Sequence, residues 1–134
     1  FDFLYFTDKR CDYDDEIISL GGEIYRITEK STLRRTYGIY KFLKYNNSFY
    51  AVHSHTLFNT GFNLLASYFA GCKIRIAHSH NTSDANDTSF VGRLYQKSTK
   101  ILINLFCNCF KTNILYGYKY FSFRNFCNVK STIV

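Results

Sequence analysis

Short apolar runs alternate with helix-length amphipathic segments along most of this chain of 134 residues. The runs predict strands over Phe1–Phe6, Glu23–Thr28, Phe49–His53, Lys73–His78 and Thr112–Tyr116. The segments between them predict helices over Asp12–Leu20, Ser31–Tyr45, Leu57–Ala70 and Phe90–Phe110. Strands that alternate with helices in this way are typical of a parallel sheet. The pattern therefore predicts one α/β domain, with helices on both faces of the sheet.

One stretch, residues 51–82, organises this pattern: AVHSHTLFNTGFNLLASYFAGCKIRIAHSHNT. Two of the predicted strands run into the same His-Ser-His triplet, and the helix between them closes on Gly71. A βαβ unit of this length requires parallel strands, so both triplets lie at carboxyl ends of strands. Open α/β sheets bind their ligands at that edge. The sequence therefore predicts the position of a ligand site, whereas these features alone do not indicate a reaction.

Four histidines carry the candidate chemistry of this edge, His53, His55, His78 and His80. Residues two apart share a face of a strand, so each pair points the same way if its strand continues. Two His-x-His pairs could converge on zinc. They could equally be structural histidines bonded to loop backbone, or imidazoles that donate to sugar hydroxyls or phosphate. The residues alone leave these three interpretations open.

Polar side chains beside the triplets favour a substrate site. They are Thr56, Asn59, Thr60, Asn81 and Thr82. The segment Thr56–Gly61 also opens a predicted helix, whose free amides attract anions, although an ordinary N-cap at Asn59 or Thr60 explains it as well. No G-x-G-x-x-G, G-x-x-x-x-G-K-[ST] or G-x-S-x-G motif is present.

The overall composition indicates which kinds of partner and which cellular compartment suit this chain. A net charge of +7 and a pI near 9.2 suit an anionic surface or ligand, whereas no RNA-binding signature is present. Five cysteines without regular spacing predict a reducing compartment. The longest apolar run, Ile101–Phe110, is too short to span a bilayer. A chain without Met that starts at Phe1 suggests an internal piece of a longer protein.

The long helix predicted after the second triplet carries a basic side. Its cations are Arg93, Lys97 and Lys100. These cations predict that this side of the helix faces solvent or, as the more specific alternative, that it contacts a membrane surface. Leu94, Ile101 and Leu105, together with Leu102, are predicted to face the core.

Three segments together resemble the N-terminal domain of bacterial family 4 glycosyltransferases of capsular and exopolysaccharide biosynthesis. They read FDFLYFTD, DDEIISLGGEIYRI and YAVHSHTLFNTGFNLLASYFAGCKIRIAHSHNTSD, and the resemblance covers about residues 1–105. It implies a GT-B fold, in which two Rossmann-like domains face across a cleft. The N-terminal domain holds the acceptor, and the C-terminal domain holds the nucleotide-sugar. Transfer is retaining and uses no metal, with the nucleotide-sugar as co-substrate and no other cofactor.

The resemblance also implies roles for individual residues. A histidine that ends the strand matching residues 74–80 contacts the donor sugar, and either His78 or His80 fits this catalytic position. His53 and His55 match the other strand at the edge of the cleft, and Asn81–Ser89 resembles a loop that contacts the acceptor.

Several parts of the family pattern have no counterpart in this chain. The first strand with its glycine-rich loop and the donor domain with its paired glutamates are both missing. We therefore expect residues 1–134 to be one incomplete acceptor domain, inactive in transfer when alone. The expected partners are a polysaccharide or lipid-linked acceptor and a nucleotide-sugar, in the cytoplasm or at the inner face of the plasma membrane. The alternative is a non-catalytic module that completes a cleft with a separate donor-domain subunit.

Overall fold

The computed structural model describes residues 1–46, 48–56, 59–79, 89–112 and 131–133. The strands are β1 (Asp2–Tyr5), β2 (Ile24–Arg26), β3 (Ala51–Ser54), β4 (Ile74–Ser79), β5 (Cys109–Thr112) and β6 (Ser131–Ile133). The helices are α1 (Asp14–Ser19), α2 (Thr32–Tyr45), α3 (Thr60–Ala70) and α4 (Phe90–Phe106). Together these elements confirm the predicted α/β class.

The six strands form one sheet in the order β2-β1-β6-β3-β4-β5, and every neighbouring pair is parallel. The short strand β6 lies at the centre, where Thr132 is the register partner of both Asp2 in β1 and Val52 in β3. If β6 is counted as the first strand, the order becomes the 3-2-1-4-5-6 order of a doubly wound sheet. This arrangement confirms the Rossmann-like architecture.

Helices cover both faces of the sheet, as predicted. On one face α3 packs between α2 and α4, and Leu4 of β1 joins the core formed with α2. Alternate side chains of the same strand, Phe3 and Tyr5, line a depression on the opposite face together with Ile17 of α1. The placement follows from right-handed crossovers, because the step from β1 to β2 runs across the sheet in the opposite direction to the steps that lead from β2 through β3 and β4 to β5.

The main core lies under α2 and α3. Its best-buried aliphatic side chains are Ile39 and Leu43 of α2, Leu64 of α3 and Val52 of β3, none more than 2% exposed. Each such side chain stabilises the fold by about 1.5–3 kcal/mol through removal of apolar surface from water. Gly71 ends α3 with a φ of 95°, a left-handed value that glycine adopts readily, as the sequence predicts.

The end of α4 differs from the prediction. The helix stops at Phe106 instead of Phe110, and β5 starts at Cys109, so Phe110 is in a strand. Asn108 explains the early stop, because its amide donates to the carbonyl of Arg75 at 3.1 Å and its side chain bonds to β4 and to the residue before it. Its Oδ1 accepts from the amide of Arg75 at 2.7 Å, and its Nδ2 donates to the carbonyl of Lys73 at 2.7 Å. Residues 113–116 of the strand predicted over Thr112–Tyr116 lie outside the described residues.

The buried face of α4 also differs from the prediction. Leu94, Ile101 and Leu105 were expected in the core but are 59%, 51% and 69% exposed. The helix instead buries the small residues Gly92 and Thr99. Thr99 faces Gly61 of α3 at a close approach of the two helices, which a large side chain at either position would prevent.

We predict that Gly61→Ala destabilises the protein by about 1–3 kcal/mol, the usual cost of overpacking. A Cβ at Gly61 would lie 2.8 Å from the carbonyl oxygen of Thr99 and 3.0 Å from Cβ of Leu102, and neither atom can easily move. Gly38→Ala is the matched control, since its Cβ would meet only side-chain methyl groups of Ile27, the nearer at 3.3 Å, and no backbone atom. Urea unfolding should rank Gly61→Ala as the more destabilising change, and equal midpoints would contradict the close packing.

Candidate functional site

The parallel pairing of β3 and β4 determines which side chains meet at the candidate site. His53 is the register partner of Ile76, and Ser54 is the partner of Ala77. Partners in register share a face of the sheet, and so do residues two apart on one strand. His53, Ile76 and His78 therefore lie on one face, while Ser54 and Ala77 lie on the opposite face, which α3 covers.

Three of the four predicted histidines come together at the carboxyl ends of β3 and β4. The ring centroids of His53 and His55 are 4.1 Å apart, and that of His78 is 5.3 Å and 4.6 Å from them, respectively. One ring nitrogen from each histidine lies within 4.8 Å of the others. His55 is exposed, and His53 and His78 are half-buried. We call these three residues the imidazole cluster.

A network of hydroxyl and amide groups fixes the turn that leads from β3 into α3. Nδ2 of Asn63 donates to Oγ of Ser54 at 3.0 Å and to Oγ1 of Thr56 at 2.8 Å. The Ser54 hydroxyl also donates to Oγ1 of Thr60 at 3.1 Å. Ser54, Thr60 and Asn63 are at most 2% exposed, so these polar groups rely on one another instead of water. The network holds the backbone on both sides of His55.

The polar residues predicted to bind substrate occupy different environments. Thr56 and Thr60 belong to the buried network, which supports a positioning role for both hydroxyls. Asn59 stands at the start of α3 but does not cap it with its side chain; its Oδ1 accepts a 2.8 Å hydrogen bond from the Tyr95 hydroxyl. Burial raises the pKa of that Tyr95 hydroxyl. Substrate contacts by these residues remain predictions.

Three predicted site residues, His80, Asn81 and Thr82, lie outside the described residues, as does most of the loop Asn81–Ser89. Ser89 itself is described, and its hydroxyl accepts from the amide of Gly92 at 3.0 Å, so it caps α4. A serine one residue before a periodic segment is a usual capping signal. Of the two predicted catalytic histidines, the structure thus places His78 in the imidazole cluster.

Sequence reasoning missed Asn63 and Tyr95, which support the site from α3 and α4. Neither belongs to a motif, and each makes its bond only once the helices have packed. A polar residue on the apolar side of a predicted helix is the signal that could have identified Asn63, because such a residue must find a partner when buried.

The imidazole cluster offers a limited chemistry. A neutral imidazole carries one donor and one acceptor nitrogen, and can bond to hydroxyl groups or coordinate a metal. Ser54 is fully buried and bonded within the turn network, so it does not present a nucleophile. Recognition of a polar ligand at the sheet edge therefore fits this geometry better than attack by a serine.

Comparison with known proteins finds one relative of described class. The chain is 44% identical over 86 residues to the Bacillus subtilis (strain 168) protein described as "Putative glycosyltransferase EpsF". The chain is similar to a glycosyltransferase. The match covers 62% of this chain and 22% of EpsF. No protein-family model matches the sequence, and no solved structure matches it.

The similarity to EpsF confirms the predicted resemblance to glycosyltransferases. Assignment to family 4 and the GT-B arrangement stay predictions. Among the described helices, none is long and apolar enough to cross a membrane.

We predict that Asn63→Asp lowers the free energy of unfolding by about 1–3 kcal/mol. The change removes the amide that donates to Ser54 and Thr56 and buries a carboxylate in its place. Asn104→Asp is the matched control, because Asn104 is an exposed residue of the neighbouring helix. Chemical unfolding of both variants measures the difference; an Asn63→Asp variant as stable as Asn104→Asp would show that the network does not hold the turn.

Proposed function

We propose that this chain forms the acceptor-side wall of a cleft in a retaining family 4 glycosyltransferase with the GT-B fold. The enzyme transfers a sugar from a nucleotide-sugar to a surface polysaccharide or lipid-linked acceptor. The observation that carries the proposal is the imidazole cluster, three side chains that meet at the carboxyl ends of β3 and β4. Similarity to EpsF supports sugar transfer as the chemistry, and the chain corresponds to 22% of that protein.

The proposed roles divide the imidazoles between the two substrates. His78 or His80 contacts the transferred sugar from β4, and His53 and His55 bind acceptor hydroxyls from β3. Exposure of His55 and partial exposure of His53 support direct contact with a ligand. Thr56, Asn59, Asn81 and Thr82 complete the acceptor side, and Thr60 supports it from the turn.

The nucleotide-sugar is bound mainly by a second domain that faces this one in the proposed cleft, and serves as co-substrate without a further cofactor. We place the reaction in the cytoplasm, at the inner face of the plasma membrane. The competing function is a non-catalytic module that completes its cleft with a separate donor-domain subunit. Both functions place a saccharide against the imidazole cluster, so activity distinguishes them.

We predict that the chain binds oligosaccharides through the imidazole cluster and that His78→Ala weakens this binding about fivefold to tenfold, the value of one net hydrogen bond. Titration of the isotope-labelled chain, followed by NMR shifts of the histidine side chains, measures the affinity. Tyr45→Ala is the control. Tyr45 is 78% exposed at the end of α2, the helix that leads back to the amino ends of the strands, away from the imidazole cluster.

Transfer is tested on the longest natural protein that contains this chain, with labelled nucleotide-sugars and NMR of the product's anomeric carbon. Transfer with retention supports the enzyme. Saccharide binding without transfer, together with a co-purifying donor-domain subunit, supports the module instead. Absence of saccharide shifts at the cluster would refute both functions.

A second surface supports the proposed membrane location. The outer side of α4 exposes the apolar residues Phe90, Val91, Leu94, Ile101 and Leu105, each at least 51% exposed. The three cations of the helix, Arg93, Lys97 and Lys100, are also exposed. Apolar side chains beside cations on one helix are suited to the interface of an anionic bilayer. We propose that α4 lies on the membrane and brings the cleft to a lipid-linked acceptor.

We predict that the chain co-sediments with vesicles that contain phosphatidylglycerol and that Arg93→Glu/Lys97→Glu lowers the partition coefficient at least about tenfold, since each basic residue contributes about 1 kcal/mol near an anionic surface. Lys41→Glu/Lys44→Glu on α2 makes the same change in net charge elsewhere and should have a much smaller effect. Equal losses for the two pairs would show that net charge, and not α4, determines binding.

A further inference from the structure

We infer that the imidazole cluster is a binding site for a divalent transition metal, with Zn²⁺ as its natural candidate. His53, His55 and His78 each bring one ring nitrogen within 4.8 Å of the other two. Imidazole nitrogens are among the commonest ligands of zinc, copper and nickel, whereas Mg²⁺ and Ca²⁺ prefer oxygen. Three converging imidazoles therefore select a class of metal by the chemistry of the donor atoms.

The geometry needs little adjustment to hold such an ion. A tetrahedral zinc ion with nitrogens at about 2.0–2.1 Å requires those nitrogens to lie about 3.4 Å apart. The rings of the cluster can reach this spacing by rotation about their terminal torsions, which have broad minima in histidine. The backbone does not have to move, because the register of β3 and β4 already places the three residues on one face.

The site would leave one coordination position open. Three histidines fill three of the four positions of a tetrahedral ion, and the exposed side of the cluster at His55 gives water or another ligand access to the fourth. The proposed transfer of sugar does not require this ion. A bound metal would instead engage the imidazoles that the saccharide uses, so metal and saccharide would compete for the same three side chains.

The turn network gives the site the rigidity that metal binding needs. Ser54 lies between two of the ligands in the chain, and its hydroxyl is held by Thr60 and Asn63 inside the protein. Preorganised ligands lower the entropic cost of coordination. Two of the three ligands are thereby fixed to α3 as well as to the sheet.

Isothermal titration of the chain with ZnCl₂ tests the inference without any saccharide, so its result is independent of the proposed function. We expect one Zn²⁺ per chain, no binding of Mg²⁺, and a visible spectrum with Co²⁺ typical of tetrahedral coordination. His55→Gln should weaken Zn²⁺ binding about 100-fold or more, because loss of outer-shell partners alone costs about 10–100-fold. His55 is exposed, so this variant should retain its fold, which circular dichroism checks.

Cys11→Ser is the control, since it removes a thiol outside the cluster and should leave the affinity for Zn²⁺ unchanged. His53→Gln provides a second ligand variant that should reproduce the loss. The inference fails if Zn²⁺ binding is absent or is the same in His55→Gln and the unmodified chain. It also fails if Co²⁺ produces strong sulfur charge-transfer absorption, which would assign the ion to cysteine thiolates.

Discussion

The parallel pairing of β3 with β4 is the constraint on which the candidate site depends. Their register places His53 opposite Ile76 and brings His78 to the same face two residues further along. Side chains alternate between faces with a period of two, so a slip by one residue would move the histidines of one strand to the face that α3 covers. Core packing opposes such a slip, because Val52 and Ala77, almost fully buried under the helices, would be turned out of the core.

Close packing of small residues holds α4 against the βαβ unit that carries the site. Because Gly61 has no side chain, the backbone of α4 can approach it closely at Thr99. In this arrangement the Tyr95 hydroxyl donates to Oδ1 of Asn59 at 2.8 Å. At the other end of the same helix, Arg75 donates from Nε to the carbonyl of Phe106 at 2.6 Å. A cation at this end of a helix is favourable because the last carbonyls carry partial negative charge. Both ends of α4 are thus attached to the βαβ unit that carries the imidazole cluster.

The central βαβ unit could be predicted from sequence because its signals are local. Two identical triplets mark the strand ends, and Gly71 marks the end of the helix, where the structure has its left-handed residue. The buried face of α4 could not be predicted, because Gly92 and Thr99 carry little apolar signal and their burial depends on α3. The end of α4 could not be predicted either, because the apolar run predicts a continuous helix, whereas the side-chain bonds of Asn108 to the region of β4 end it early. For the site, the triplets supplied four candidate histidines, and only the register showed that His53, His55 and His78 meet.

The central position of β6 has a consequence for how the domain opens. Among the described strands, β6 alone connects β1 and β2 with β3, β4 and β5 by backbone pairing, and it has three residues. Its partners are distant in sequence, with residue 132 beside residues 2 and 52, so its pairing closes long loops at an entropic cost. With three residues, β6 offers few backbone hydrogen bonds to join the two groups of strands. All three histidines lie in the β3-α3-β4 unit, whose two strands pair directly, so a separation at β6 would not break the pairing that brings the histidines together.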